Sequence, residues 1–138
     1  MKDPNRKIAI EIYDSTLASV IDDGEHVVID LKPAYIHRST GTPGVDPGGG
    51  WAQDVLLRIE NGTIDGGVPV MPCDLWEGSL QVGNQTIENI IPLPLDYYGA
   101  VKLILVAQDE SRFVVQGSRI SATVMGDPKF IEEFPGLS

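Results

Sequence analysis

The sequence predicts an all-β fold, and three observations predict it. Apolar residues recur at period two through most of the chain, turn residues interrupt them at short intervals, and no segment carries a long amphipathic helical period. Eight or nine mainly antiparallel strands of this kind make a sandwich or a partly closed barrel with one short C-terminal helical turn, and the sandwich is preferred. At 138 residues and 42% hydrophobic content the chain has material for one core, so residues 1–138 are read as a single β-sandwich domain.

In the first segment Ile8, Ile10 and Ile12 alternate with Ala9, Glu11 and Tyr13, the pattern of a half-buried strand. Leu17 to Ile21 forms a second strand, and Asp22-Asp23-Gly24 ends it because Gly24 takes the positive φ of a tight hairpin turn at no steric cost. Val27, Ile29 and Leu31 continue inward until Pro33, which lacks a backbone N–H and therefore marks a bulge or an edge before Ala34-Tyr35-Ile36-His37. Ser39 to Gly50 holds five Gly and two Pro in twelve residues and is expected to be a loop. Val55, Leu57 and Ile59 then face one way, Asp54, Arg58 and Glu60 the other, and Asn61-Gly62 supplies the turn. Between Thr63 and Asn89 the pattern thins to a Leu80/Val82 strand and a Gly83-Asn84 turn.

The strongest hairpin pairs Val101 to Gln108 with Phe113 to Met125. Its first strand is apolar on both parities and is expected to be central and covered on both faces, while Gly117 marks a bulge in the second. At the end, Asp127 as cap, Pro128 at the first helical position and Phe130, Ile131 and Phe134 on one face predict a helical turn that plugs the sheet. Ile10, Val27, Ile29, Leu57, Ile59, Leu103, Leu105, Val115 and Phe130 are the expected core.

Twenty acidic against ten basic residues give a net charge of −10, divided evenly between the segments on either side of Pro69. Nucleic acids require clustered Lys and Arg to release counterions, and here the basic residues are scattered among acids, so no nucleic-acid partner is expected. The same charge opposes anionic membranes, and no apolar run approaches the roughly 18–20 residues of a spanning helix, so no membrane partner is expected either. The opening residues carry no apolar signal segment, and Cys73 stands alone, both of which fit a reducing, bacterial-type cytoplasm. Cys73 also lacks a basic neighbour to activate its thiol and is read as inert.

Ile91-Pro92-Leu93-Pro94-Leu95 ahead of Gly99-Ala100-Val101, together with Gly126-Asp127-Pro128-Lys129-Phe130-Ile131-Glu132-Glu133-Phe134, resembles small bacterial all-β proteins of unknown function. The resemblance covers the distal third, implies an all-β fold and implies no activity.

No catalytic constellation stands out, so the expected function is a noncatalytic interaction or small-ligand-binding module, self-associating as a homodimer or meeting another protein partner. The candidate ligand residues are His37 and Arg38, where a strand enters the Gly-rich stretch, Trp51 at its far end, and the Tyr97-Tyr98 pair. The alternative is a hydrolase or isomerase with a pocket under that stretch, His37 as base, Arg38 as anion anchor, Trp51 as lid and an acid such as Asp54 orienting the imidazole. It requires His37 and Arg38 to face one concavity, although adjacent strand residues point to opposite faces. Gly48-Gly49-Gly50-Trp51 lacks the Lys of a phosphate loop, and Asp22, Asp23, Glu25 and His26 crowd a hairpin turn without metal-loop spacing, so no cofactor and no metal are expected.

Overall fold

The alternation resolves into ten strands in a computed structural model, which describes residues 7–39 and 47–134. They are β1 (Lys7–Glu11), β2 (Thr16–Asp22), β3 (His26–Ser39), β4 (Gly48–Glu60), β5 (Thr63–Gly66), β6 (Cys73–Val82), β7 (Gln85–Glu88), β8 (Ile90–Leu93), β9 (Asp96–Ala107) and β10 (Arg112–Phe134). All pairings are antiparallel, and the order β2-β6-β9-β10-β4-β3 returns to β2, so the sheet partly closes into a ring. Of the two architectures the pattern allows, this is the partly closed barrel. Its seam is short, with only Thr16 and Leu17 of β2 opposite Asp74 and Cys73 of β6.

β3 and β4 are too long for the ring alone. The first half of β3 pairs with β2 and its second half with β1, while β4 follows it throughout. The handover falls at Lys32-Pro33, where register against β4 slips between Leu31 and Ala34, as expected for a proline that cannot donate to the ladder. Beyond it, the distal half of β3, the start of β4, the end of β10, β1 and β8 form a sheet extension outside the ring.

The interior is filled from every side. Val27, Ile29 and Leu31 of β3, Val55, Leu57 and Ile59 of β4, Leu103 and Leu105 of β9, and Phe113 and Val115 of β10 are all buried. The outer residues Ile104 and Val106 are only half-buried, so β9 is central but covered on one face more than the other. The bulge expected at Gly117 is present as a register slip against β9.

Two expectations fail at the extension. Asp127 to Phe134 is not a helical turn but the last stretch of β10, and Phe130 is 59% exposed rather than core. The cap-and-proline signal loses because Gly48 to Ala52 of β4 offers a ladder for the chain to complete, and Pro128 falls within a register slip, where no N–H is needed. Nor are Ser39 and Gly48 to Gly50 loop: Ser39 ends β3 and pairs with Gly48. Cβ-less backbone lets large rings lie against it, Trp51 over Gly49 and Tyr35 over Gly50. The middle of that expected loop, residues 40–46, lies outside the described residues.

Candidate functional site

Alternation in the extension sorts the predicted residues onto two faces. On one, the Arg38 guanidinium sits 5.2 Å from the centroid of Trp51, whose ring meets Phe130 edge-on at 5.5 Å. On the other, Tyr35 donates a 2.5 Å hydrogen bond to Glu132 Oε1 and packs 4.9 Å from His37, and His37 Nε2 lies 3.0 Å from Glu11 Oε2. Ser15 fixes this second cluster from below, accepting from the Tyr35 N–H at 3.0 Å and donating to the Glu11 carbonyl at 2.8 Å. The structure therefore brings Arg38 together with Trp51 and His37 together with Glu11, and among the described residues it sets His37 and Arg38 on opposite faces of β3. The sequence reading missed Glu11, Tyr35 and Glu132, which are separated by up to 121 residues and meet only through strand pairing.

Burial raises the Glu11 carboxyl to about 7, reinforced by its hydrogen bond to Asp14 and by the charges of Asp14 and Glu132. Burial also pushes the His37 imidazole below its ordinary range, against the pull of Asp14 and Glu132. The Tyr35 hydroxyl is driven up by burial and by its bond to Glu132. Near neutral pH the imidazole is uncharged and the Glu11 proton is half-dissociated. From its ordinary 4.5 to about 7, the folded chain holds a proton on Glu11 that the unfolded chain has released, so stability falls as pH rises through that interval and levels off above it. His37 acts oppositely in acid: its contribution is complete above its unfolded value and is lost as pH falls through the folded one. Glu11→Gln fixes the neutral form. After discounting for Glu11's partial solvent exposure, we expect the variant to exceed the wild type by about 1–2 kcal/mol at pH 8 and to match it near pH 4.5. Thermal melts of both proteins across that range check this, and parallel curves would exclude it.

The tyrosine pair lies on another strand pair. Tyr98 is 70% exposed beneath the Arg119 guanidinium, which is 4.2 Å from the ring and forks onto Asp96 at 2.9 and 3.1 Å. Tyr97 is half-buried against the core. The acidic hairpin turn uses its own carboxylates: Asp22 accepts from Gly24, and Asp23 accepts from Glu25 and His26 at 2.9 and 2.7 Å. Among the described residues no group of three or more His, Cys, Asp or Glu is placed to hold a metal ion. The Cys73 thiol is pushed up by burial and by Asp109 and Asp74, so it stays protonated.

A different feature is the most site-like. β3 and β10 flank β4, and both slip register opposite the same few residues: β3 between Leu31 and Ala34, β10 between Met125 and Lys129. Two bulges at one level part the sheet and leave a cleft of about 530 Å³ bordered by Lys32, Gln53, Asp54, Asp127 and Lys129. Gln53 is buried and clamps the floor, its amide donating at 2.7 Å to the Gly126 carbonyl. Among the described residues Asp54, Asp127 and Lys129 enter no ion pair, so their charges face the cleft uncommitted. Pro33 signalled half of this cleft. The other half was hidden because Gly126-Asp127-Pro128 reads equally as a helix cap. Asp54, considered as an acid for His37, belongs here instead.

No family model, curated protein or solved structure matches the chain. No helix of the described residues is long and apolar enough to cross a membrane.

Proposed function

We propose that the protein is a noncatalytic binding module whose paired-bulge cleft takes a small zwitterion such as a free amino acid. The observation that carries this reading is the coincidence of two bulges on either side of β4, which opens a volume in the ordinary range for small-ligand pockets and borders it with charges of both signs. Of these, Asp54, Asp127 and Lys129 have no ion-pair partner among the described residues, while Lys32 lies 4.0 Å from Asp30. Lys32 and Lys129 suit a carboxylate, Asp54 and Asp127 an ammonium group. An amide-resolved NMR titration with the common amino acids and small dicarboxylates tests it. We expect saturable shifts confined to residues 52–54 and 125–129, and about a tenfold loss of affinity for Lys129→Ala. No localised shift with any of them at roughly 10 mM, about ten times the Kd of a ligand bound by about 4 kcal/mol, would remove the reading.

Self-association is a second reading, supported by the far end of β10. From Thr123 onward this strand has β4 on one edge and no partner on the other among the described residues, and Val124, Met125, Phe130 and Ile131 are all more than 40% exposed there. A second copy adding its own β10 antiparallel would pair this open edge and flank these side chains with its own. Sedimentation at tens of micromolar should show a dimer that Phe130→Lys dissociates; a wild-type monomer would end this reading. A cytoplasmic location belongs to the same proposal, supported by the single, protonated Cys73.

A further inference from the structure

We propose that a second, separate cleft on the outer face of β6 and β9 binds an organic cation, a quaternary or primary ammonium group, through Trp76, Glu77 and Glu110. Trp76 is an extra residue in its strand. Leu75 pairs with Ala107 and Glu77 with Val106, so Trp76 sits in a bulge, and its side chain stands out at 50% exposure. Tyr13 braces it in an edge-on contact at 5.5 Å and 64°. A large apolar ring held outward by a bulge and a second ring is a platform rather than leftover core.

Beside it lies a cleft of about 370 Å³ walled by Trp76, Glu77, Val106, Ala107, Gln108 and Glu110. Apart from the Trp76 indole N–H, the donors of its turn are largely engaged. The Gln108 side-chain amide donates to the Leu75 carbonyl at 3.3 Å, and the backbone N–H groups of Ala107, Gln108 and Glu110 donate to Ser111, Asp74 and Ala107. What remains toward the cleft is the two carboxylates of Glu77 and Glu110, the Gln108 amide oxygen and the indole. No basic residue lines it; Arg112 borders only the adjoining smaller cleft beyond Glu77. A wall of acceptors with two negative charges and one aromatic ring selects a ligand that is positive, donor-rich or methylated, and compact. An anion would meet repulsion without a compensating donor pair, and a neutral sugar would need the donors that the turn has consumed. The net charge of −10 draws cations to the surface in general, but here an indole accompanies the acids in a cavity, as it does not in the paired-bulge cleft.

Trp51 and Trp76 are the two tryptophans, so in Trp51→Phe the tryptophan fluorescence, excited at the red edge where tyrosine does not absorb, reports Trp76 alone. Choline is the probe, with its uncharged isostere 3,3-dimethylbutan-1-ol as the comparison and total ionic strength held constant with NaCl. We expect a saturable fluorescence change with choline at millimolar concentration, none with the isostere, and affinity weakened about tenfold or more in Glu77→Gln/Glu110→Gln, whose fold circular dichroism verifies. No saturable change with choline, an equal change with the isostere, or undiminished binding by the double glutamine variant would each overturn the proposal. The cleft at the paired bulges is untouched by these substitutions, so the two readings stand or fall separately.

Discussion

Leu105→Ala should destabilise the protein by about 2–5 kcal/mol, the range for truncating a fully buried leucine, and lower the thermal midpoint by about 3–5 °C per kcal/mol. Leu105 is 1% exposed at the middle of β9, opposite Gly78 of β6 and Phe113 of β10. Its Cδ2 lies close over Gly78, as does Ile12 Cδ1, so the missing methyls leave space that a ladder-locked ring wall cannot close. Val106→Ala, the next residue along and half-buried on the outer face, should cost about 1 kcal/mol or less. Denaturant midpoints of the two variants separate the cases. Equal costs would mean that the two faces of β9 are buried alike, contrary to the ring.

The interior was legible because it depends on parity alone. Once Val27, Ile29, Leu57, Ile59, Leu103, Leu105 and Val115 are known to alternate with polar or less buried neighbours, their common face follows, and all seven are buried. Phe130 escaped because its environment is fixed by a partner strand some eighty residues earlier. The signal around it, Asp127-Pro128 and spaced aromatics, is a valid helix start that tertiary pairing with Gly48 to Ala52 overrides. The same long range explains the site. Pro33 announces a bulge, but nothing local says that β10 bulges opposite it, and neither Glu11 nor Glu132 carries any mark that it will meet Tyr35 and His37. The glycines at 48–50 were the hardest to read. A Gly run signals loop unless one knows that the Arg38 backbone needs the room at Gly48 and the rings of Trp51 and Tyr35 need it at Gly49 and Gly50.

Gly50→Ala tests that last point and is expected to destabilise by about 1–3 kcal/mol, although replacing a strand glycine ordinarily stabilises by up to about 1 kcal/mol. Gly50 is buried between His37 of β3 and Glu132 of β10. A Cβ there would overlap the hydroxyl oxygen and Cζ of Tyr35 and crowd Cε1 at 3.0 Å. Tyr35 cannot swing clear without cost, since it is 8% exposed, is bonded to Glu132 and rests against His37. The methyl must therefore displace the ring, break the Tyr35–Glu132 hydrogen bond, or part β4 from β3. Gly67→Ala is the control: nothing lies within 4 Å of its Cβ, and the change should be neutral or stabilising by about 0.4–1 kcal/mol. Tyr35→Ala completes a double-mutant cycle. If the ring is the obstacle, Gly50→Ala becomes costless in that background and the coupling energy equals the penalty measured in the wild type. A penalty that persists without Tyr35 would place the obstacle in the backbone of the three paired strands and detach Gly50 from the Tyr35–His37–Glu11 cluster.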